Sequence, residues 1–430
     1  MNPSTDVPLL IVAPFVLLLL SIAALPLAAH HWWESNRNRG IVAAAFALPV
    51  AVWCLATGRA GDLLHAAHEY EQFLVLLGAL FVIGGGVHVS GDLRATPRVN
   101  AGFLAIGAVL ASVIGTTGAS MILIRPLLRT NSERRSVAHT VVFFILVVSN
   151  CGGLLTPLGD PPLFMGYLRG VPFDWTLRLW PYWLGVNAAL VLAYFVWDTL
   201  VVRRESPEAL RADRRQVEPL RVSGAGSLVL LAVVVATVAT VTGNALLRDG
   251  ILVACALASL FLVRQEPRKT NAFTWGPIVE VAVLFAGIFV TMIPALRYLE
   301  AHGADLGLTT PRQYFWATGS LSAVLDNAPT YLTFTSVAAG HLNAAGAQPV
   351  VTSEDLRTLL AADGGPPLLV AISLGAVFMG ALTYIGNGPN FMVKAIAESS
   401  GVRMPGFFGY AACAVAILVP VLLVVTVFLG

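Results

Sequence analysis

Charged side chains are scarce in this sequence. They make up 12% of its 430 residues, against about 25% in a soluble globular domain. With a mean hydropathy of +0.78, that scarcity excludes a water-soluble core of this size and points to a membrane protein. Cysteine is sparse too. Cys54, Cys151, Cys255 and Cys413 all lie in apolar stretches, at spacings that suit neither a disulfide framework nor a zinc site. The histidines fall mostly in loops and form no metal constellation. No P-loop, nucleophile elbow, HExxH or dinucleotide fingerprint stands in a fitting context, so no enzyme is expected. Alternating polarity is also missing, which excludes a transmembrane barrel.

What the chain does have is long apolar runs. Residues 9–29, 73–89, 179–202, 227–246, 277–296 and 406–429 approach or reach the ~20 residues of a helical span. The first run lacks a basic n-region and is long for a cleaved leader, so it reads as a retained span. Gly84-Gly85-Gly86 lies within such a run, where close packing explains it better than phosphate binding.

Cytoplasmic loops are enriched in Lys and Arg. Arg37/Arg39, Arg94/Arg98, Arg129/Arg134/Arg135, the stretch 203–221, Arg264/Arg268/Lys269 and Lys394/Arg403 are placed inside on that rule. The loops 58–71, 169–178, 247–250, 299–312 and 341–367 are placed outside. One path satisfies the split, with about ten crossings and both termini outside. It requires re-entrant hairpins at 100–128 and 313–340, each arm about 13 residues and too short to span. Their tips are Gly115-Thr116-Thr117-Gly118 and Asp326-Asn327-Ala328-Pro329. Exposed backbone at such a tip is tolerated where it lines a cavity or is buried in protein. Glu71 and Glu280 read as helix-opening acids, Arg125 as snorkelling to the inner face, and Lys394 as a topology anchor.

The chain also repeats itself. Residues 156–165 read Thr-Pro-Leu-Gly-Asp-Pro-Pro-Leu-Phe-Met, and residues 383–392 read Thr-Tyr-Ile-Gly-Asn-Gly-Pro-Asn-Phe-Met. Each follows its own hairpin. The expected organisation is all-α: an N-terminal span and first repeat (1–202, broken helix 140–168), a cytoplasmic linker (203–225) and a second, inverted repeat (226–430, broken helix 368–396). Inverted repeats with interrupted helices point to a secondary transporter with its site near the midplane.

Proline and glycine within a span break the helix. The break frees carbonyls, which suit Na⁺, and amides at a positive half-helix end, which suit an anion. Asp160 and Asn387 stand in the two breaks; Asp326 and Asn327 stand at the second hairpin tip, Thr116 and Thr117 at the first. An ionisable group at membrane depth is costly to charge, so Asp160 or Asp326 is expected to exchange H⁺ for Na⁺. The alternative is a helix cap at each break. Ser149 and Asn150, ahead of the first break, are expected to bond the opposite hairpin or to pack helices together.

These motifs, with Gly115–Leu123, the run 149–162, the run 321–330 and the run 383–390, resemble the ion transporter superfamily over nearly the whole chain. They are similar to the branch holding NhaD-type sodium/proton antiporters, arsenite permease-like proteins and citrate transporters. The resemblance implies re-entrant hairpins, a dimeric scaffold, an elevator-like movement and a bacterial-type inner membrane. It implies Asp326 and Asn327, with Thr156 and Asp160, as Na⁺ ligands. The departure is at the tips, where dicarboxylate carriers hold Ser-Asn-Thr. A second acidic tip residue disfavours a multivalent anion on Coulomb grounds.

Three readings follow. In the first, Na⁺ is exchanged for H⁺; Asp326 and Asp160 titrate, and Thr156, Asn327, Thr383 and Asn387 complete the coordination. In the second, Na⁺ or H⁺ drives uptake of citrate or another small carboxylate, held near Thr117, Ser120, Asn327 and Thr330. The third is a channel-like or structural subunit of a membrane complex. Na⁺ enters as transported or coupling ion, no cofactor is expected, and lipid and a second copy of the chain are the expected partners. No nucleic acid is expected.

Overall fold

The computed structural model describes residues 7–206, 213, 217–263, 266–271 and 273–429. Helices dominate. In order they are α1 (Leu9–Ala28), α2 (Asn36–Ala56), α3 (Ala60–Gly85), α4 (Pro97–Ile114), α5 (Thr116–Thr130), α6 (Ala138–Val147), α7 (Pro161–Leu168), α8 (Trp180–Val202), α9 (Ala225–Thr240), α10 (Ala245–Phe261), α11 (Gly276–His302), α12 (Pro311–Ser322), α13 (Asn327–Ala344), α14 (Leu356–Ala361), α15 (Gly365–Met379), α16 (Gly388–Ser399) and α17 (Phe407–Val427). Short turns of helix occupy His30–Trp33 and Glu266–Thr270. Among the described residues, nine helical stretches are long and apolar enough to cross a membrane, and Ala225–Thr240 is a shorter apolar helix.

The helices sort by what surrounds them. About a fifth of α1 and of α2 is buried, and under a third of α17, whereas 83% of each broken-helix segment is buried. Outer helices therefore present Leu10, Val52, Leu192 and Phe408 outward. A continuous apolar exterior around a fully bonded helical backbone is what a bilayer demands. The broken helices sit at the centre.

Two helical hairpins flank them. α4 packs on α5, and α12 and α13 pack on α15. Two of the four arms are much longer than expected: α4 and α13 each have 18 residues, roughly 27 Å at 1.5 Å per residue. Their starts are set by capping. The Thr96 hydroxyl accepts from Val99 N ahead of Pro97. Thr310 and Gln313 form a reciprocal capping box ahead of Pro311. Proline in the first turn costs no hydrogen bond, because that donor has no intrahelical partner anyway.

Several loop assignments are corrected. Residues 60–71 belong to α3 and residues 247–250 to α10, so Glu71 lies mid-helix and opens nothing. Glu280 is likewise inside α11. Charge did not mark a loop at Arg248 because its guanidinium is held within the fold by Asp249 and by Gln72 of α3. Arg169, expected in an outer loop, is buried and makes a bidentate pair with Glu69 at 2.7 and 2.8 Å. Arg134 is buried against Asp198, which also meets His139. Part of the presumed linker is a strand: β2 (Glu218–Ser223) pairs antiparallel with β1 (His88–Asp92). This small sheet is the departure from an all-α chain. The glycine run before β1 is tightly packed, since a side chain on Gly85 would meet the Phe273 ring.

Candidate functional site

The first broken helix is α6, a 3₁₀ turn (Cys151–Leu155), a non-helical stretch and α7. The second is α15, a 3₁₀ turn (Gly380–Leu382), a non-helical stretch and α16. Glycine makes both breaks possible. A side chain on Gly159 would collide with the Gly153 carbonyl, and one on Gly386 with the carbonyls of Gly380 and Ser322. Threonine then ties each break to its own hairpin. The Thr156 hydroxyl donates to Ser112 O, and the Thr383 hydroxyl to Ala323 O.

The hairpin tips close on the first break. Gly115 turns between α4 and α5 with φ +83°, a region that glycine enters without strain. The turn brings Thr116 N to Gly159 O at 2.9 Å and the Thr116 hydroxyl to Asp160 Oδ1 at 3.0 Å. From the second tip, Asn327 Nδ2 donates to Asp160 Oδ2 at 2.6 Å. From the second break, Asn387 Nδ2 donates to Asp160 Oδ1 at 3.0 Å. The same amide reaches Ser149 O and Asn150 Oδ1, both at 3.2 Å.

Asp160 is 2% exposed. It stands at the N-cap of α7, yet its side chain makes no capping bond. Asp326 does cap α13, accepting from Ala328 N at 3.1 Å. The capping alternative therefore describes Asp326 and fails for Asp160. The three other buried acids among the described residues, Glu69, Asp198 and Asp249, each hold an arginine. Among the described residues, no Lys, Arg or His forms an ion pair with Asp160 or Asp326. Neutral donors satisfy the Asp160 lone pairs and bring no counter-charge. Next to it, Asn327 Oδ1 is buried with no hydrogen-bond partner among the described residues. A carboxylate and an orphaned carbonyl oxygen are a partial oxygen set for a hard cation.

A cavity of about 530 Å³ reaches this point. Thr116, Thr117, Asp160, Asp326 and Asn387 line its floor region, with Phe73, Phe164 and Phe285 among its apolar walls. Phe73 and Phe285 stack at 4.8 Å between ring centres. The charged lining residues are Glu34, Asp160, Glu280 and Asp326 against a single Arg39.

A family model described as "Putative citrate transport" matches residues 4–429. The chain belongs to this family. An uncharacterized transporter of Mycobacterium bovis and one of Mycobacterium tuberculosis are each 24% identical to it over 406 residues, or 87% of this chain and 89% of the relative. It is therefore a multi-pass membrane transporter rather than an enzyme, in keeping with the ion transporter superfamily.

In this transporter, Asp160, Asn327 and Asn387 come together, with Thr116 rather than Thr117 touching the carboxylate. Thr117 lines the cavity without a side-chain bond to the group. Ser149 meets Ser120 at 2.8 Å on its own hairpin. Asn150 crosses to the opposite break, not the opposite hairpin, donating to Asn390 Oδ1 at 2.7 Å. Thr330 bonds back to Asp326 O within its helix. Thr156 and Thr383 hold backbone carbonyls of the hairpins and do not bond Asp160. Lys394 pairs with Glu398 at 2.7 Å and lies 5.6 Å from the ring centres of Tyr384 and Phe391. Sequence reasoning missed Asn390 and Ser112. Asn390 sits in the repeat motif itself, where leucine stands in the first copy, and that change in polarity was its signal.

Proposed function

We propose that this transporter exchanges Na⁺ for H⁺, with Asp160 as the carboxylate that carries either ion in turn. The supporting observation is that Asp160 is buried among three neutral donors, with no cationic partner among the described residues. A buried charge without a counter-charge is strongly unfavourable, so the site calls for a proton or a metal cation from solution. Asn327 Oδ1 and the second carboxylate, Asp326, supply further oxygens toward a cation. Four carboxylates to one guanidinium along the cavity attract cations and repel a multivalent anion.

A second reading is Na⁺- or H⁺-coupled uptake of citrate. The cavity volume favours it, being far larger than a monovalent ion requires, and so does the family description. Bound cations would then offset the acids. In either case an inverted arrangement of the two repeats supplies the alternating routes, with an elevator-like movement of a homodimer as the expected mode.

The test is purified protein in liposomes holding a pH-sensitive dye. Sodium-driven proton movement without citrate supports exchange. Proton movement that requires citrate, together with uptake of labelled citrate, replaces the first reading with the second.

A further inference from the structure

Among the described residues, the lining of the cavity carries one ion pair. Arg39, four residues into α2, places Nη2 3.1 Å from Glu280 Oε1 on α11. Both residues line the cavity, with Trp33 and Glu34 beside them. The pair differs from the buried ones. Glu69 and Arg169 are 7% and 3% exposed at their side chains and bond through two parallel contacts. Glu280 is 38% exposed. Arg39 is held by its own turn, donating to Asn36 Oδ1 at 2.7 Å, and by a ring contact 5.9 Å from the centre of Trp33. Its Nε is buried without a hydrogen-bond partner among the described residues.

Among the described residues, Arg39 is also the one basic side chain on the cavity, whose other charged lining groups are carboxylates. A guanidinium resting on a half-exposed carboxylate occupies the place that an arriving cation would take. Low-dielectric walls concentrate the field of the acids along the cavity. A cation that comes along the cavity past Glu280 therefore finds that carboxylate already paired with Arg39.

We propose that Arg39 and Glu280 form an exchangeable gate, in which an incoming monovalent cation displaces Arg39 from Glu280 before moving on to Asp160. This rests on the cation reading of the site. Glu280 is the receiving group and Arg39 its built-in competitor. A purely structural ion pair predicts that loss of either partner harms the protein alike. The gate predicts opposite signs: removing the competitor strengthens cation binding, and removing the receiver weakens it.

The experiment is Na⁺ titration of the full-length protein in detergent, against choline, followed by thermal stabilisation, in parallel with Na⁺-driven proton movement in liposomes. Arg39→Gln is expected to lower the apparent Na⁺ dissociation constant, and Glu280→Gln to raise it, each about fivefold to tenfold from one unit charge at close range in a partly aqueous site. Arg39→Lys keeps the competing charge and stays within about twofold of the wild type. Shifts of the same sign in both glutamine variants, or no shift in either, overturn the gate, as does a wild type that Na⁺ does not stabilise. Opposite shifts in a protein that binds Na⁺ but moves no protons uphold the gate and reject sodium/proton exchange instead. Should Arg39→Gln fail to fold, the Glu280→Gln and Arg39→Lys pair still decides: an unchanged Glu280→Gln constant sinks the proposal.

Discussion

At the first helix break Asp160 receives hydrogen bonds from Thr116, Asn327 and Asn387; at the second break Asn387 gives its amide hydrogens away. The two breaks share a backbone plan. Each has a 3₁₀ turn, a glycine pressed against a carbonyl, a threonine bonded to its hairpin and a helix restarting at a proline-containing turn. Among the side chains that differ between them, only the pair Asp160 and Asn387 changes the formal charge, and charge follows that difference. Both hairpin tips turn toward the acid, not toward its amide counterpart. A duplicated scaffold thus yields a single ionisable centre, with the second copy serving as donor.

Asp160→Asn attacks that asymmetry most directly. It removes the carboxylate charge and leaves one of the two amides, Asn327 or Asn387, facing an NH2 group in place of an acceptor; loss of the charge at close range implies a loss of Na⁺ affinity of roughly 100-fold. Thermal stabilisation by Na⁺ and dye-reported proton movement should both collapse, and an unchanged Na⁺ constant in a folded variant would place the centre elsewhere. Moving the charge sharpens the comparison: in Asp160→Asn with Asn387→Asp, Asp replaces the donor and stands at the second break. If position matters as well as charge, transport by the double variant stays within about tenfold of the single one, because the tip contacts of Thr116 and Asn327 do not follow the carboxylate. Recovery to wild-type transport would make the two breaks interchangeable.

Asp326→Asn is expected to act less. Asparagine still caps α13, so folding is retained, while one nearby negative charge is lost and Na⁺ affinity falls about fivefold to tenfold. The smallest effects belong to the shared scaffold. Thr156→Val and Thr383→Val each remove one hydroxyl bond to a hairpin carbonyl and should cost about 1–2 kcal/mol apiece in thermal unfolding. Clearly unequal costs would show that the breaks differ as structural elements and not only in charge.

Much of this was readable beforehand, for identifiable reasons. Gly-x-x-Pro within an apolar run forces a helix break whatever surrounds it, so both breaks and the two hairpins were legible from the chain. The convergence on Asp160 was half legible. Its position in the break was plain, yet the choice of Thr116 over Thr117 depends on the hairpin turn at Gly115, which periodicity does not reveal. Thr156 carried the right chemistry for an ion and instead spends its hydroxyl on Ser112 O, because a carbonyl freed nearby was within reach. Helix limits were read short wherever charged residues were taken for loops. Arg169 is neutralised by Glu69, 100 residues away in sequence, and Arg248, paired with its neighbour Asp249, is also held by the distant Gln72; only tertiary structure supplies those distant partners.

The carboxamide contact from Asn150 to Asn390 joins the first break to the second across the middle of the molecule. Asn390 is in turn pinned to Gly380 O and Thr383 O, and Asn387 bonds back to Asn150. These amides rivet the two breaks into one cartridge. In the elevator-like mode proposed above, the accessible side changes by sliding the cartridge past its walls, with the immediate surroundings of the bound ion carried along intact. A short covalent bridge between the two breaks should therefore be harmless to turnover. The same bridge from either break to the wall helix that carries Phe285 should halt it.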